Sequence, residues 1–212
     1  MDKTYVEYKS WLGVEVIDPS VESQYQNALE MLQHREPYET ELMDLNKNET
    51  GYGDDQKDAD KRLSIYAKYL DVEFKDGSNP ARIQNLYERR ITDLCLHPHV
   101  WTTYIDYIDF TLKMESESLA VCERAIRNIP NSAAIWIKYL RALERYNQPN
   151  ELVLSVVEKA LSRSLEGISK YRELWLAYID YKRRNVFKVL KIQILQLKLI
   201  MHPLVENKMT SW

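Results

Sequence analysis

Trp101-Thr102-Thr103-Tyr104-Ile105-Asp106-Tyr107-Ile108 and Trp136-Ile137-Lys138-Tyr139-Leu140-Arg141-Ala142-Leu143 stand 35 residues apart and carry apolar side chains at the same four positions. Trp101, Tyr104, Ile105 and Ile108, like Trp136, Tyr139, Leu140 and Leu143, follow the three-and-four spacing that gathers residues on one helical face. A further copy begins at Trp175-x-x-Tyr178, and Tyr66-x-x-Tyr69 and Tyr5-x-x-Tyr8 keep the pattern with tyrosine in place of tryptophan. A second pattern follows the first: Leu86-Tyr87-Glu88-Arg89-Arg90-Ile91, then Val121-Cys122-Glu123-Arg124-Ala125-Ile126, then Val156-Val157-Glu158-Lys159-Ala160-Leu161. Its glutamates lie 22 residues after the leading aromatic in all three copies, and Gln26 lies 21 after Tyr5. A fixed period of this length marks a repeat architecture in which each unit is one supersecondary element. Pairs of helices this short bury their apolar faces only against their neighbours, so the expected fold is all-α, a curved solenoid of about four helical pairs with the repeated aromatics in its core.

The turn residues agree with this division. Asp76-Gly77-Ser78-Asn79-Pro80 separates the two helices of one unit, and His97-Pro98, Ile129-Pro130-Asn131 and Glu166-Gly167 separate one unit from the next. The step from Glu158 to Trp175 is 17 residues where the earlier ones are 13, which implies four inserted residues near Gly167. Two segments break the period. Residues 39–62 stretch the first interval, an insertion whose first half is compatible with a helix around Leu42 and Leu45. Its Gly51 to Asp60 run is polar and acidic enough to predict a mobile loop. After Asn185 neither pattern returns, so the array is assigned to residues 1–184 and the apolar, basic tail to 185–212. From Val186 to Met201 apolar residues fall on every side of a helix, and the tail is expected to cap the last helical pair.

Composition narrows the function classes. The 212 residues include only 5 glycines, which disfavours turn-rich β folds and glycine-looped nucleotide sites, and 15 Tyr and 5 Trp against 3 Phe. Net charge is −3, unevenly spread: residues 1–62 hold 15 acidic and 7 basic side chains, leaving a surplus of basic ones beyond them. Such a balance gives no general pull on a nucleic-acid backbone. Cys95 and Cys122 have no metal-like spacing and suit a reducing, intracellular compartment. Lys188, Lys191 and Lys198 interrupt the most apolar stretch, so a soluble chain is expected.

A 35-residue unit with Trp-x-x-Tyr in its first helix and Tyr-Glu-Arg or Cys-Glu-Arg-Ala in its second resembles the half-a-TPR, or HAT, repeat. The segments Asn79-Pro80-Ala81-Arg82-Ile83-Gln84-Asn85-Leu86-Tyr87-Glu88-Arg89, Arg124-Ala125-Ile126-Arg127-Asn128-Ile129-Pro130 and Leu174-Trp175-Leu176-Ala177-Tyr178-Ile179-Asp180-Tyr181 are similar to the HAT region of one family. That family is the squamous cell carcinoma antigen recognised by T cells, a group of spliceosomal snRNP recycling factors, and the likeness covers residues 20–184 or so. The resemblance implies a nuclear, non-enzymatic scaffold of RNA processing whose partners are proteins of that machinery. It also implies RNA-recognition motifs, yet no Arg/Lys-Gly-aromatic run occurs in the chain, which predicts a fragment or short product of a longer gene and RNA contact only through partners. Other HAT-type splicing or 3′-end cleavage factors, and a helical-repeat subunit of an enzyme such as a prenyltransferase, are the alternatives; Glu-Arg/Lys-Ala in the second helix favours HAT. A homodimer is compatible with so short an array.

No residue is nominated as catalytic, cofactor-binding or metal-binding, and no cofactor is expected. Glu88-Arg89, Glu123-Arg124 and Glu158-Lys159 interrupt apolar stripes, where a charge must be paired, and are read as links between helices. His97 and His99 flank Pro98 without a third ligand nearby in sequence. Lys182-Arg183-Arg184 is a basic cluster suited to a helix end or to a nuclear-import or RNA contact. The partner-binding face is left unassigned.

Overall fold

The computed structural model describes residues 19–47, 55–77 and 79–209, with 3, 6, 7, 10 and 11 besides; the side chains of 55, 56, 189, 192 and 194–209 fall outside it. Tyr5-x-x-Tyr8 and Gly51 to Asp54 therefore lie outside the described residues. The chain forms two compact units, Met1–Leu94 and Cys95–Trp212. The first holds α1 (Pro19–Lys47), α2 (Asp55–Lys75) and α3 (Pro80–Asp93). The second holds α4 (Pro98–Asp106), a π-helical extension of it (Tyr107–Leu112), α5 (Glu115–Asn128), α6 (Ala133–Arg145), α7 (Asn150–Leu161) and α8 (Ile168–Met209). Among the described residues no strand occurs. The pairs predicted from the period are α2 with α3, α4 with α5 and α6 with α7; α1 carries the second pattern around Gln26, and α8 the first pattern at Trp175.

Local chemistry explains the boundaries. Pro80 occupies the first turn of α3, where its missing N–H costs nothing, and Asn79 Oδ1 accepts from the Ala81 N–H at 3.0 Å. Pro98 likewise stands in the first turn of α4, behind His97, which makes no side-chain cap bond. Glu115 and Glu117 in the first turn of α5 and Arg127 in its last complement the helix dipole. The π segment ends at Lys113, whose φ of 56° turns the chain and whose N–H donates to Ile108 O at 2.6 Å.

Tyr66, Tyr69, Ile83, Leu86, Tyr87 and Ile91 form the core of the first unit, and Trp101, Tyr104, Ile105, Trp136, Tyr139 and Leu140 lie at the centre of the second. The insertion differs from the expectation. Asp55 to Asp60 are the opening turns of α2 rather than a loop, because Ala59, Arg62 and Tyr66 continue the buried stripe upstream and tie the polar turns to the core. The extra residues lengthen α1 to 29 residues and α2 to 21, against 14 for α3.

Trp175 also departs from the expected burial: it is 46% exposed, whereas Trp101 is 1% exposed. Leu174 takes the buried place on α8 instead. Arg124 of α5 lies over the Trp101 ring at 5.7 Å, and no described helix follows α8 to cover Trp175 in that way. Nor do the first side chains of the tail fold back as a cap, since Val186, Phe187 and Leu190 are all exposed on a helix that runs unbroken through residues 184 and 185.

Candidate partner-binding surface

The repeated tryptophans are structural clamps. Trp101 Nε1 donates to Cys95 O at 2.7 Å and Trp136 Nε1 to Pro130 O at 2.8 Å, each closing the turn six residues upstream. In the last unit, Tyr171 does this work: its hydroxyl donates to Arg163 O at 2.6 Å and accepts from Leu165 N at 3.1 Å. The indoles of Trp101 and Trp136 are thus spent on packing and turn closure, whereas Trp175 is half-exposed and Trp11 is exposed.

Between the first helices of the second unit runs a ladder of acid and arginine. Asp109, buried in the π segment, accepts from the Ser118 hydroxyl at 2.5 Å, from the Tyr146 hydroxyl at 3.1 Å and from the Arg145 guanidinium. Glu144 takes both Arg184 Nε and Nη2 at 2.7 Å. Asp109 and Glu144 are themselves 35 residues apart, so one first helix hands a carboxylate to an arginine of the next in two successive steps. Lys138 bonds both oxygens of Asp106 beside this ladder. Arg184 of the predicted basic cluster is therefore engaged in the fold, while Lys182 leans on the Tyr178 ring at 5.3 Å and Arg183 pairs with Asp180 at 3.1 Å.

The first unit has its own network. Arg35 of α1 and Glu73 of α2 are joined by bonds of 2.6 and 3.0 Å, with side chains 6% and 1% exposed. Arg89 of α3 grips both oxygens of Glu39 of α1 at 2.7 and 2.9 Å, and the Tyr69 hydroxyl donates to the same carboxylate at 2.9 Å. The Arg89 guanidinium holds the Glu39 carboxyl below its ordinary value, with burial opposing and Tyr69 assisting. Burial, reinforced by the bond to Glu39, pushes the Tyr69 hydroxyl up to about 12. These groups border a cleft of about 510 Å³ between α1 and α3.

Two of the three pairs, through Arg89 and Glu123, link helices, but not from within the buried stripe. Arg89, Glu123, Glu158 and Lys159 are exposed, because the core positions are the adjacent Tyr87 and Arg90, Cys122 and Ala125, and Val157 and Ala160. Arg89 reaches Glu39, and Glu123 accepts from the Tyr139 hydroxyl at 3.3 Å. His97 and His99 do not join a ligand set: among the described residues no group of three His, Cys, Asp or Glu could hold a metal ion. Burial pushes the Cys122 thiol up, opposite to what a nucleophile needs. Among the described residues no helix is long and apolar enough to cross a membrane. Sequence alone did not single out Arg35, Glu73 or Asp109; the 35-residue recurrence of Asp109 and Glu144 is the one signal that could have found part of the network.

These carboxylates and guanidinium groups form fixed pairs between neighbouring helices within each unit. Residues 84–193 match the family model described as the pre-mRNA-splicing factor Syf1/CNRKL1 N-terminal HAT repeat. The chain is 38% identical over 186 residues to the human spliceosome associated factor 3, U4/U6 recycling protein, an alignment covering 88% of this chain and 18% of that protein. The protein of the same name from Danio rerio is 36% identical over the same shares. That from Caenorhabditis elegans is 30% identical over 119 residues, 56% of this chain and 14% of the relative. The chain thus spans about 18% of the length of the vertebrate relatives.

Proposed function

This chain belongs to the HAT-repeat family of pre-mRNA-splicing factors, and we propose that it is a non-enzymatic scaffold for splicing snRNP assembly or recycling, working in the nucleus through protein contacts. The observation that carries this reading is the match to the splicing HAT model across α3 to α8, joined to a relative whose name describes U4/U6 recycling. In this reading residues 1–184 form the HAT array, 185–212 stand outside it, and RNA is reached through partners.

The chemistry of the surface supports protein rather than RNA as the direct ligand. Single-stranded RNA is usually read by aromatic faces that stack bases within a basic groove. Here Trp101, Trp136, Tyr66 and Tyr139 are buried, and many surface arginines already hold carboxylates. The test is filter binding of the whole chain to small nuclear RNA at physiological salt. Weak, salt-sensitive and sequence-indifferent retention is expected; sub-micromolar, sequence-selective affinity would overturn the protein-contact reading.

A further inference from the structure

The cleft between α1 and α3 carries more recognition chemistry than its own ion pairs consume. Three guanidinium groups, Arg35, Arg82 and Arg89, border it with one carboxylate, Glu39, and the amides of Asn79 and Asn85. Arg35 is committed to Glu73 beneath, and Arg89 to Glu39. Arg82 differs. Its side chain is 55% exposed, and its Nε makes only a long ion pair, 3.6 Å, with Glu73 Oε1, on a carboxylate that Arg35 already holds through both oxygens. Counting the buried Glu73 as well, the cleft keeps a net positive charge, and it lies on Arg82 at the open side.

The remaining walls suit a polypeptide. Asn79 uses its Oδ1 on the Ala81 N–H, which leaves the Nδ2 hydrogens for an acceptor, and Asn85 is exposed six residues further along α3. Met31 and Leu86 supply apolar wall between the polar groups. The geometry points to an acidic peptide segment of a partner protein as the occupant: a Glu or Asp carboxylate on Arg82, main-chain carbonyls on the asparagine amides, and a neighbouring aliphatic side chain against Met31 and Leu86. A monoanionic carboxylate fits better than a dianionic phosphoryl group, because Glu39 and Glu73 stand close by and repel the second charge. The existing Arg35–Glu73 and Arg89–Glu39 pairs show that guanidinium and carboxylate meet here at bonding distance.

This inference names the partner chemistry of the scaffold and rests on the protein-contact reading above. It is tested by fluorescence anisotropy with the full chain and a fluorescein-labelled, acetylated and amidated peptide of repeating Glu-Leu-Ser. The same peptide with Gln for Glu, and one with phosphoserine for Glu, are run beside it. The Glu peptide should bind, and the Gln peptide roughly tenfold more weakly, the equivalent of one charge-assisted contact. Arg82→Gln should weaken the Glu peptide roughly tenfold and Arg82→Glu more, with helical content unchanged, while Arg127→Glu on exposed α5 surface should change nothing. The side-chain amide resonances of Asn79 and Asn85 should shift on binding. Absent binding, equal binding of the Gln peptide, insensitivity to Arg82, or tighter binding of the phosphoserine peptide would each overturn the assignment. No splicing component enters this assay, so its failure removes the cleft as a peptide site and leaves the scaffold reading to its own test.

Discussion

Removing the Glu73 carboxylate should be among the most damaging single changes in the first unit. Both members of the Arg35–Glu73 pair are almost fully enclosed, and bonds of 2.6 and 3.0 Å join the guanidinium to both carboxylate oxygens. Glu73→Ala leaves Arg35 charged in a dry site, with the Arg82 guanidinium nearby and no longer offset. Breaking a buried pair in this way costs about 3–5 kcal/mol, whereas replacing both partners by apolar groups of similar volume is near neutral or stabilising by about 1–4 kcal/mol. With a urea dependence of roughly 1–2 kcal/mol per molar for a unit of this size, the midpoint should fall by roughly 2 M or more. Urea titration by far-ultraviolet circular dichroism measures the shift, and hydrogen exchange on peptides from 19–94 locates it in α1 to α3. Arg35→Met with Glu73→Leu should bring the midpoint back to near its original value. A Glu73→Ala loss below about 1 kcal/mol would show that water reaches the pair and that the enclosed geometry is wrong.

Trp136→Ala should cost about 3–5 kcal/mol, since it removes a buried ring together with the bond to Pro130 O, while Trp175→Ala should stay within about 1 kcal/mol; denaturant titration compares them. Glu39 has a lowered pKa, so its contribution is fully present above its ordinary value of 4.5 and is lost as pH falls through the depressed one. Thermal melts on the acid side should therefore show Glu39→Gln converging with the unmodified chain, by no more than about 1 kcal/mol because the pair is half-exposed; a constant gap would refute the linkage. Ile179→Lys with Phe187→Lys should reduce light scattering at high concentration without lowering the melting temperature, because both side chains are more than half exposed on α8. A fall in melting temperature would mean that this face is covered after all.

The period of the aromatics was legible because one physical requirement, burial of a helical stripe, acts on every unit alike; Trp101 and Trp136 follow it to the same indole bond. Trp175 shares the motif but not the environment: it is half-exposed where Trp101 and Trp136 are buried, and the motif alone does not carry that difference. Asp55 to Asp60 misled through composition: acidic turns read as loop, while Ala59 and Arg62 on the inner face decide the helix. The Arg35–Glu73 contact joins positions 38 apart on α1 and α2 and recurs nowhere in the period, so it left no pattern to read. Asp109 and Glu144 did leave one, hidden because a carboxylate after an aromatic helix looks like ordinary solvent-facing charge.

In the proposed function, protein surfaces rather than RNA connect this chain to the splicing machinery. Tagged chain retrieved from nuclear extract, with and without prior ribonuclease treatment, and quantified for U4/U6 snRNP proteins by mass spectrometry, tests it most directly. Those proteins should remain enriched over a mock retrieval after the RNA has been destroyed. Their loss on ribonuclease treatment, or their absence from both samples, would contradict it.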